Sequence, residues 1–169
     1  AKAFKNSGID YIRIPSTLTV LGDYAFDGCT ALKTVVFDYA TNLKTIGKYA
    51  FRNSAIGTVK LLETEPDVGV LRFPAHLNVI GEGAFSECLN VTKIIIPDNN
   101  SLTNIGDKAF YGCYALTELS IGYSKKGIVN DKLSYISPLV IGVSAFEYCS
   151  ALTSLFIPGS VSEIKAFAF

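Results

Sequence analysis

Clustered charge is missing from this sequence. Fifteen Lys and Arg balance fifteen Asp and Glu, and no five like charges are consecutive. Lys125 with Lys126 is the nearest approach to a basic patch. Nucleic acids and anionic lipids are held by clusters of basic side chains, so no nucleic-acid partner is expected. Long apolar runs are missing as well. None reaches the ~18 residues a membrane-spanning helix needs, and no direct membrane insertion is expected. The opening residues Ala1, Lys2, Ala3 and Phe4 lack the apolar core of a secretory signal. Histidine is almost absent. The nearest cysteine after His76 is Cys88, twelve residues on, so a Cys–His catalytic pair has no support and an exposed loop histidine is expected. The four cysteines never show the paired two-to-four-residue spacing of a zinc site. An apolar fraction of 49% with 18% charged residues excludes a disordered chain, and 169 residues suit one domain spanning 1–169.

What is present is repetition. The dipeptide Ala-Phe recurs in register at Phe4, Phe26, Phe51, Phe85, Phe110, Phe146 and Phe169, with gaps of 22, 25, 34, 25, 36 and 23 residues. Such a period marks a solenoid, in which no single coil buries enough apolar surface to fold alone. About seven buried apolar side chains per coil contribute roughly 10–20 kcal/mol. Ordering some 23 residues costs roughly 35 kcal/mol, so coils must stack.

Each coil has two halves. The first reads apolar-x-x-apolar-x-apolar, as in Val91, Ile94, Ile96 and Leu116, Leu119, Ile121. The last two apolar positions alternate as in a half-buried strand, and Pro15, Pro97 and Pro158 stop it. Coil stacking predicts a parallel sheet of about six strands, the last of them around Leu155 and Ile157. The second half reads Leu-x-x-Ile-Gly-x-x-Ala-Phe-x-x-Cys, as in Leu102, Ile105, Gly106, Ala109, Phe110 and Cys113. Its spacing predicts a short helical or 3-10 turn. The glycine is expected to adopt a conformation that a side chain forbids.

Two insertions, about 62–76 and 122–137, fall between the strand and the next Leu position. Both are expected to form short hairpins, the first around Val68, Gly69 and Val70. The chain closes on Phe167, Ala168 and Phe169 with no polar cap, which suggests a segment of a longer array able to associate end to end.

These units resemble the BspA-type leucine-rich repeat family, whose strand ending in Ile-Pro and Ile-Gly-x-x-Ala-Phe-x-x-Cys pattern is matched by Ile96-Pro97 and by Ile105 through Cys113. The resemblance covers nearly all of the chain outside the insertions. It implies a right-handed leucine-rich-repeat coil with its parallel sheet on the concave side. It also implies an extracellular or cell-surface location, and adhesion to host matrix proteins or to other cells. It brings no catalytic residues.

Cys29, Cys88, Cys113 and Cys149 each stand three residues after a repeat Phe, in a slot that also holds Ser7 and Ser54. Small buried thiols are expected, with a Cys88–Cys113 bond as the open alternative. Glu63, Glu65 and Asp67 lack the spaced pattern of a calcium loop, and no metal or cofactor is expected. The best candidates for contact with a partner are the outward strand positions. The slot between the last two apolar residues holds Arg13, Val36, Lys60, Ile95, Ser120 and Phe156; the slot two residues earlier holds Tyr11, Thr34, Thr58, Lys93, Glu118 and Ser154. Of these, Tyr11, Arg13, Val36, Lys60, Lys93, Ile95, Glu118 and Phe156 are taken as the partner-binding set. The first functional expectation is a non-catalytic module that binds a protein or glycan through the concave sheet face and the inserted loops. The alternative is a structural spacer within a larger surface protein. An enzyme comes last, since no convergent acid, base or nucleophile set is present.

Overall fold

The computed structural model describes residues 1–37, 42–60, 68–129, 132–135 and 137–169. Two parallel six-stranded sheets line a common interior. Sheet A runs in the order β1 (Tyr11–Ile14), β3 (Thr34–Phe37), β5 (Thr58–Lys60), β6 (Val70–Arg72), β8 (Lys93–Ile96), β10 (Glu118–Ile121). Sheet B contains β2 (Val20–Leu21), β4 (Thr45–Ile46), β7 (Val79–Ile80), β9 (Asn104–Ile105), β13 (Leu139–Ile141) and β14 (Val161–Ile164), adjacent in that order. The inward residues of both sheets, such as Ile94 and Leu119 of sheet A and Ile80 and Ile105 of sheet B, belong to one core running from Ile14 to Ala168.

Sheet B replaces part of what the sequence predicts as a helical turn, and the rest of that motif is not helical either. The Ala-Phe segment alternates its hydrogen bonds. Gly83, Phe85 and Glu87 donate N–H to Asp107, Ala109 and Tyr111 of the next coil at 2.8, 2.7 and 2.8 Å. Between them, Ala84, Ser86 and Cys88 close back on Gly81, Gly83 and Phe85 at 3.2, 3.1 and 3.3 Å. Every second N–H is committed across coils, so a 3-10 ladder cannot propagate, and no helix forms among the described residues. The alternation also needs left-handed backbone at two places per coil, as at Tyr49 and Asn53 (φ 53° and 51°) or Gly83 and Glu87 (φ 57° and 60°).

The glycine after Ile is not among the residues with positive φ, contrary to the sequence expectation. Its role is proximity. A Cβ on Gly106 would lie 2.6 Å from Glu82 N and 2.7 Å from Gly81 C, and one on Gly81 would lie 2.7 Å from Gly47 C. The glycines of successive coils therefore touch backbone to backbone.

The repeat phenylalanines form a continuous ladder. Phe4, Phe26, Phe51, Phe85, Phe110, Phe146 and Phe169 stack with neighbouring ring centroids 5.2, 5.3, 5.1, 5.3, 5.1 and 5.3 Å apart. The spacing is unchanged across both insertions, so the extra residues leave the coil where it does not stack. Stacked rings at this distance add roughly 0.5–1.5 kcal/mol per pair beyond burial.

The insertions differ from one another. In the first, residues 61–67 lie outside the described residues, but Val70–Arg72 is a parallel strand of sheet A and not part of a hairpin. Leu71 pairs with Val59 on one side and Ile94 on the other. Leu71 points inward, and Phe73 wedges edge-on between Phe85 (5.5 Å) and Phe110 (6.2 Å). A strand fits here because Gly69-Val-Leu-Arg-Phe repeats the in-out alternation of its neighbours. The second insertion does form the expected hairpin, β11 (Lys126–Val129) antiparallel to β12 (Lys132–Tyr135). Buried Asn100 holds its base, donating to Pro97 O at 2.8 Å and Gly122 O at 3.0 Å.

One expected strand is absent. Residues 152–157 do not pair with β10, and Leu155 and Phe156 are exposed. Sheet A still has six strands because β6 is added between β5 and β8, while the edge of β10 that this segment was expected to cover is unpaired among the described residues. Over the first five coils sheet A thus has one strand more than sheet B. That lengthens its side by one strand spacing, ~4.8 Å, and opposes the concavity that the resemblance implies there.

Candidate binding surface

Side chains alternate along each strand of sheet A, so register decides which outward residues become neighbours. Arg13 pairs with Val36 and Val36 with Lys60; Arg72 pairs with Ile95 and Ile95 with Ser120. The second row aligns Tyr11 with Thr34, Thr34 with Thr58, Val70 with Lys93 and Lys93 with Glu118. The two predicted stripes therefore form through β10, with Val70 and Arg72 added from the first insertion. No repeat position announces these two residues. The apolar alternation of Val70, Leu71 and Phe73 is the signal that could have found them.

Members of the set differ in accessibility. Tyr11 (45% exposed), Arg13, Glu118 and Ser120 are exposed. Lys93 and Ile95 are half-buried, and Lys93 Nζ pairs with Glu118 Oε1 at 2.7 Å. Lys60 joins the row through its backbone register. Two expectations are corrected. Val36 is buried (2% exposed): a short β-branched side chain lies low on the sheet and offers little to a partner. Phe156 is 62% exposed but off the sheet, because its segment makes no strand; its ring instead meets Tyr123 edge-on at 6.3 Å.

A concavity of about 390 Å³ lies along sheet B, between Asp23, Lys48, Glu82, Asp107 and Lys165, with Gly47, Gly81 and Gly106 lining it. Its carboxylates are engaged. Asp23 Oδ1 and Asp107 Oδ1 each accept a backbone N–H from the next coil, Lys48 and Val143, at 2.8 Å. Tyr49 Oη and Lys48 Nζ both donate to Glu82, holding its carboxyl below the usual range. Nearby, burial raises the Asp27 carboxyl, but hydrogen bonds from Arg52 (2.9 and 3.0 Å) and Lys5 outweigh it and leave it below its ordinary value. These groups tie neighbouring coils together.

The cysteines are buried free thiols. Each Sγ donates to the carbonyl of the previous coil's repeat phenylalanine: Cys29 to Phe4, Cys88 to Phe51, Cys113 to Phe85 and Cys149 to Phe110, at 2.9, 3.2, 3.4 and 3.4 Å. Burial pushes the Cys88 thiol up to about 12 and Cys149 to about 11. All four are buried and act as small fillers with a weak donor. His76 is exposed. Glu63, Glu65 and Asp67 lie outside the described residues. Among the described residues no group of three His, Cys, Asp or Glu could hold a metal.

The family model for the BspA type leucine rich repeat region matches residues 1–128 and 67–169, with six copies. The chain belongs to this family. No relative was found among curated proteins. Similar solved structures include three leucine-rich repeat proteins. The leucine-rich repeat protein of T. pallidum (TpLRR) shares 17% identity over 85% of this chain and 78% of its own, with a TM-score of 0.42. A leucine-rich repeat protein from Bacteroides ovatus shares 18% over 96% of this chain and 58% of its own, with a TM-score of 0.39. A leucine rich cell surface protein from Faecalibacterium prausnitzii shares 22% over 91% of this chain and 56% of its own, with a TM-score of 0.33. The chain thus spans little more than half the length of the latter two.

Proposed function

We propose that this BspA-type repeat segment is a non-catalytic binding module of a surface or secreted protein, and that it contacts a protein or glycan through the outward face of sheet A. The observation that carries the reading is the pair of side-by-side rows, Arg13–Val36–Lys60 with Arg72–Ile95–Ser120, and Tyr11–Thr34–Thr58 with Val70–Lys93–Glu118. They put exposed Tyr11 and Arg13 on one broad face with half-buried Ile95, and aromatic and Arg side chains are enriched where proteins bind proteins. The family description agrees with a repeat module rather than a catalytic one.

The test is binding of the purified chain to arrayed extracellular-matrix proteins and glycans, with Arg13→Ala, Lys93→Ala and Glu118→Ala compared against wild type. The expected result is a common ligand whose affinity falls at least five-fold in two of the three variants while thermal stability is unchanged. A ligand bound equally by all three would remove this face from the function. A spacer role draws support from the unbroken phenylalanine ladder, which stiffens the stack. It predicts that no ligand is retained by this segment.

A further inference from the structure

The third and fifth coils each carry an insertion after their sheet A strand, and each opens a gap in sheet A before the next coil. In the third coil the gap is filled by β6. Thr92 and Lys93 donate N–H to Gly69 O at 2.8 and 3.1 Å, Phe73 donates to Ile95 O at 3.0 Å, and Leu71 and Phe73 seal the interior. In the fifth coil the insertion pairs with itself as β11 and β12, and the corresponding gap stays open. It is a groove of about 380 Å³ between Glu118–Ile121 on one side and Ser154–Phe156 on the other.

Elsewhere the two coils that flank the groove touch. β13 pairs with β14, and Phe146 stacks on Phe169 at 5.3 Å. The parting is local to sheet A. The open edge of β10 has hydrogen-bonding groups to offer. Glu118 and Gly122 direct their N–H groups toward β8, to Thr92 O (3.2 Å) and Ile96 O (2.8 Å). Successive N–H groups of an extended chain point to opposite sides, so those of Leu119 and Ile121 aim into the groove. Among the described residues, none bonds them across it. Leu155 (38% exposed) and Phe156 line the far wall, and Tyr123, stacked on Tyr135 at 6.2 Å, meets Phe156 edge-on at 6.3 Å.

We propose that this groove accepts one extended peptide strand from a partner protein, added parallel to β10, as β6 is added between β5 and β8. The peptide's backbone bonds to Leu119 and Ile121 and completes sheet A. Its inward residues, two apart, are apolar like Leu71 and Phe73, with a polar residue like Arg72 between them. Main-chain pairing supplies affinity in this mode, and the alternate pockets supply the sequence preference. The exposed edge and exposed Phe156 are what such a site looks like when empty. The groove shares Glu118 and Ser120 with the outward face of sheet A, but Arg13 and Lys93 of that face do not line it and are not required.

The probe is a labelled peptide with the sequence of residues 68–74, Val68–Pro74, since that segment already fills the matching gap. The control is the same peptide with Asp at the Leu71 and Phe73 counterparts. Anisotropy measures affinity for the 169-residue chain, and hydrogen exchange locates the site. The expected result is saturable binding at least ten-fold tighter than the control. Amide exchange at Leu119 and Ile121 slows at least five-fold. Binding weakens at least five-fold in Phe156→Ala and in Leu155→Asp, whose exposed positions leave the fold intact. Arg13→Ala and Lys93→Ala bind the peptide as wild type does, which separates this site from the sheet-face reading. Absence of saturable binding overturns the proposal. So does equal affinity for the control, protection at Ile95 in place of Leu119 and Ile121 (displacement of β6), or groove protection that rises with protein concentration alone, which would assign the groove to a second copy.

Discussion

Replacing Gly106 by Ala distinguishes two physical reasons for the repeat glycine. If it had needed a glycine-only backbone, φ would be positive; it is not. At an ordinary φ, Gly→Ala stabilises by about 0.4–1 kcal/mol through the unfolded chain. Here the new Cβ meets Glu82 N at 2.6 Å and Gly81 C at 2.7 Å, against the 3.4–4 Å of an ordinary contact. Both are backbone atoms of the preceding coil, so neither can swing away. Relief requires the coils to part by several tenths of an ångström. That stretches Gly106 N to Ile80 O, now 2.8 Å, and loosens the contacts beside it. Shifts of this size forfeit about a quarter of each dispersion well, and overpacking costs about 1–3 kcal/mol. The net is destabilisation of roughly 1–2 kcal/mol, a fall in Tm of about 2–8 °C for a chain this long. Gly8, with nothing within 4 Å of a built Cβ, is the control, and Gly8→Ala should raise Tm by about 1–4 °C. A second contrast is Gly112, whose φ of 69° comes with no contact closer than 3.7 Å. Gly112→Asn should be milder than Gly112→Ala, because Asn tolerates the left-handed region, whereas Asn at Gly106 should rescue nothing. Thermal and urea unfolding followed by circular dichroism measures all five variants. Gly106→Ala matching or exceeding wild-type stability would refute the contact argument.

Three further outcomes are expected. With its thiol pushed up to about 12, Cys88 holds about one part in ten thousand as thiolate at pH 8, so iodoacetamide should label it in urea but not in the native protein within an hour; rapid native labelling would contradict its burial. The Tyr49 hydroxyl donates to Glu82 and is raised from 10.0 to about 12. Its stabilisation is therefore whole below pH 10 and is lost as pH rises from about 10 to about 12, roughly 1–2 kcal/mol that Tyr49→Phe should not lose. Asp27 and Glu82 are lowered, so their contribution is whole above the ordinary carboxylate range and fades as pH falls through their folded values. Parallel urea midpoints for wild type and Tyr49→Phe between pH 9 and 12 would show the hydrogen bond to be inconsequential.

Residue order alone determined the solenoid, the phenylalanine register and the burial of the cysteines, because each coil repeats the same side-chain pattern and stacking superposes like on like. It also determined the two outward rows through β10, since strand alternation has a fixed period of two. It did not show sheet B, whose two-residue strands such as Thr45–Ile46 are too short for periodicity to register. Nor did it show that Val70–Arg72 would enter sheet A while residues 152–157 would leave it. Both segments alternate apolar residues equally well. The two face different edges: Val70–Arg72 enters between β5 and β8, whereas residues 152–157 stay off the outer edge of β10, and each outcome depends on where the coils can touch and where an insertion holds them apart. Local pattern carries no information about those separations. Val36 is buried and Phe156 lies beside an open groove for the same reason: accessibility belongs to the neighbours a residue acquires, and only the assembled stack supplies them.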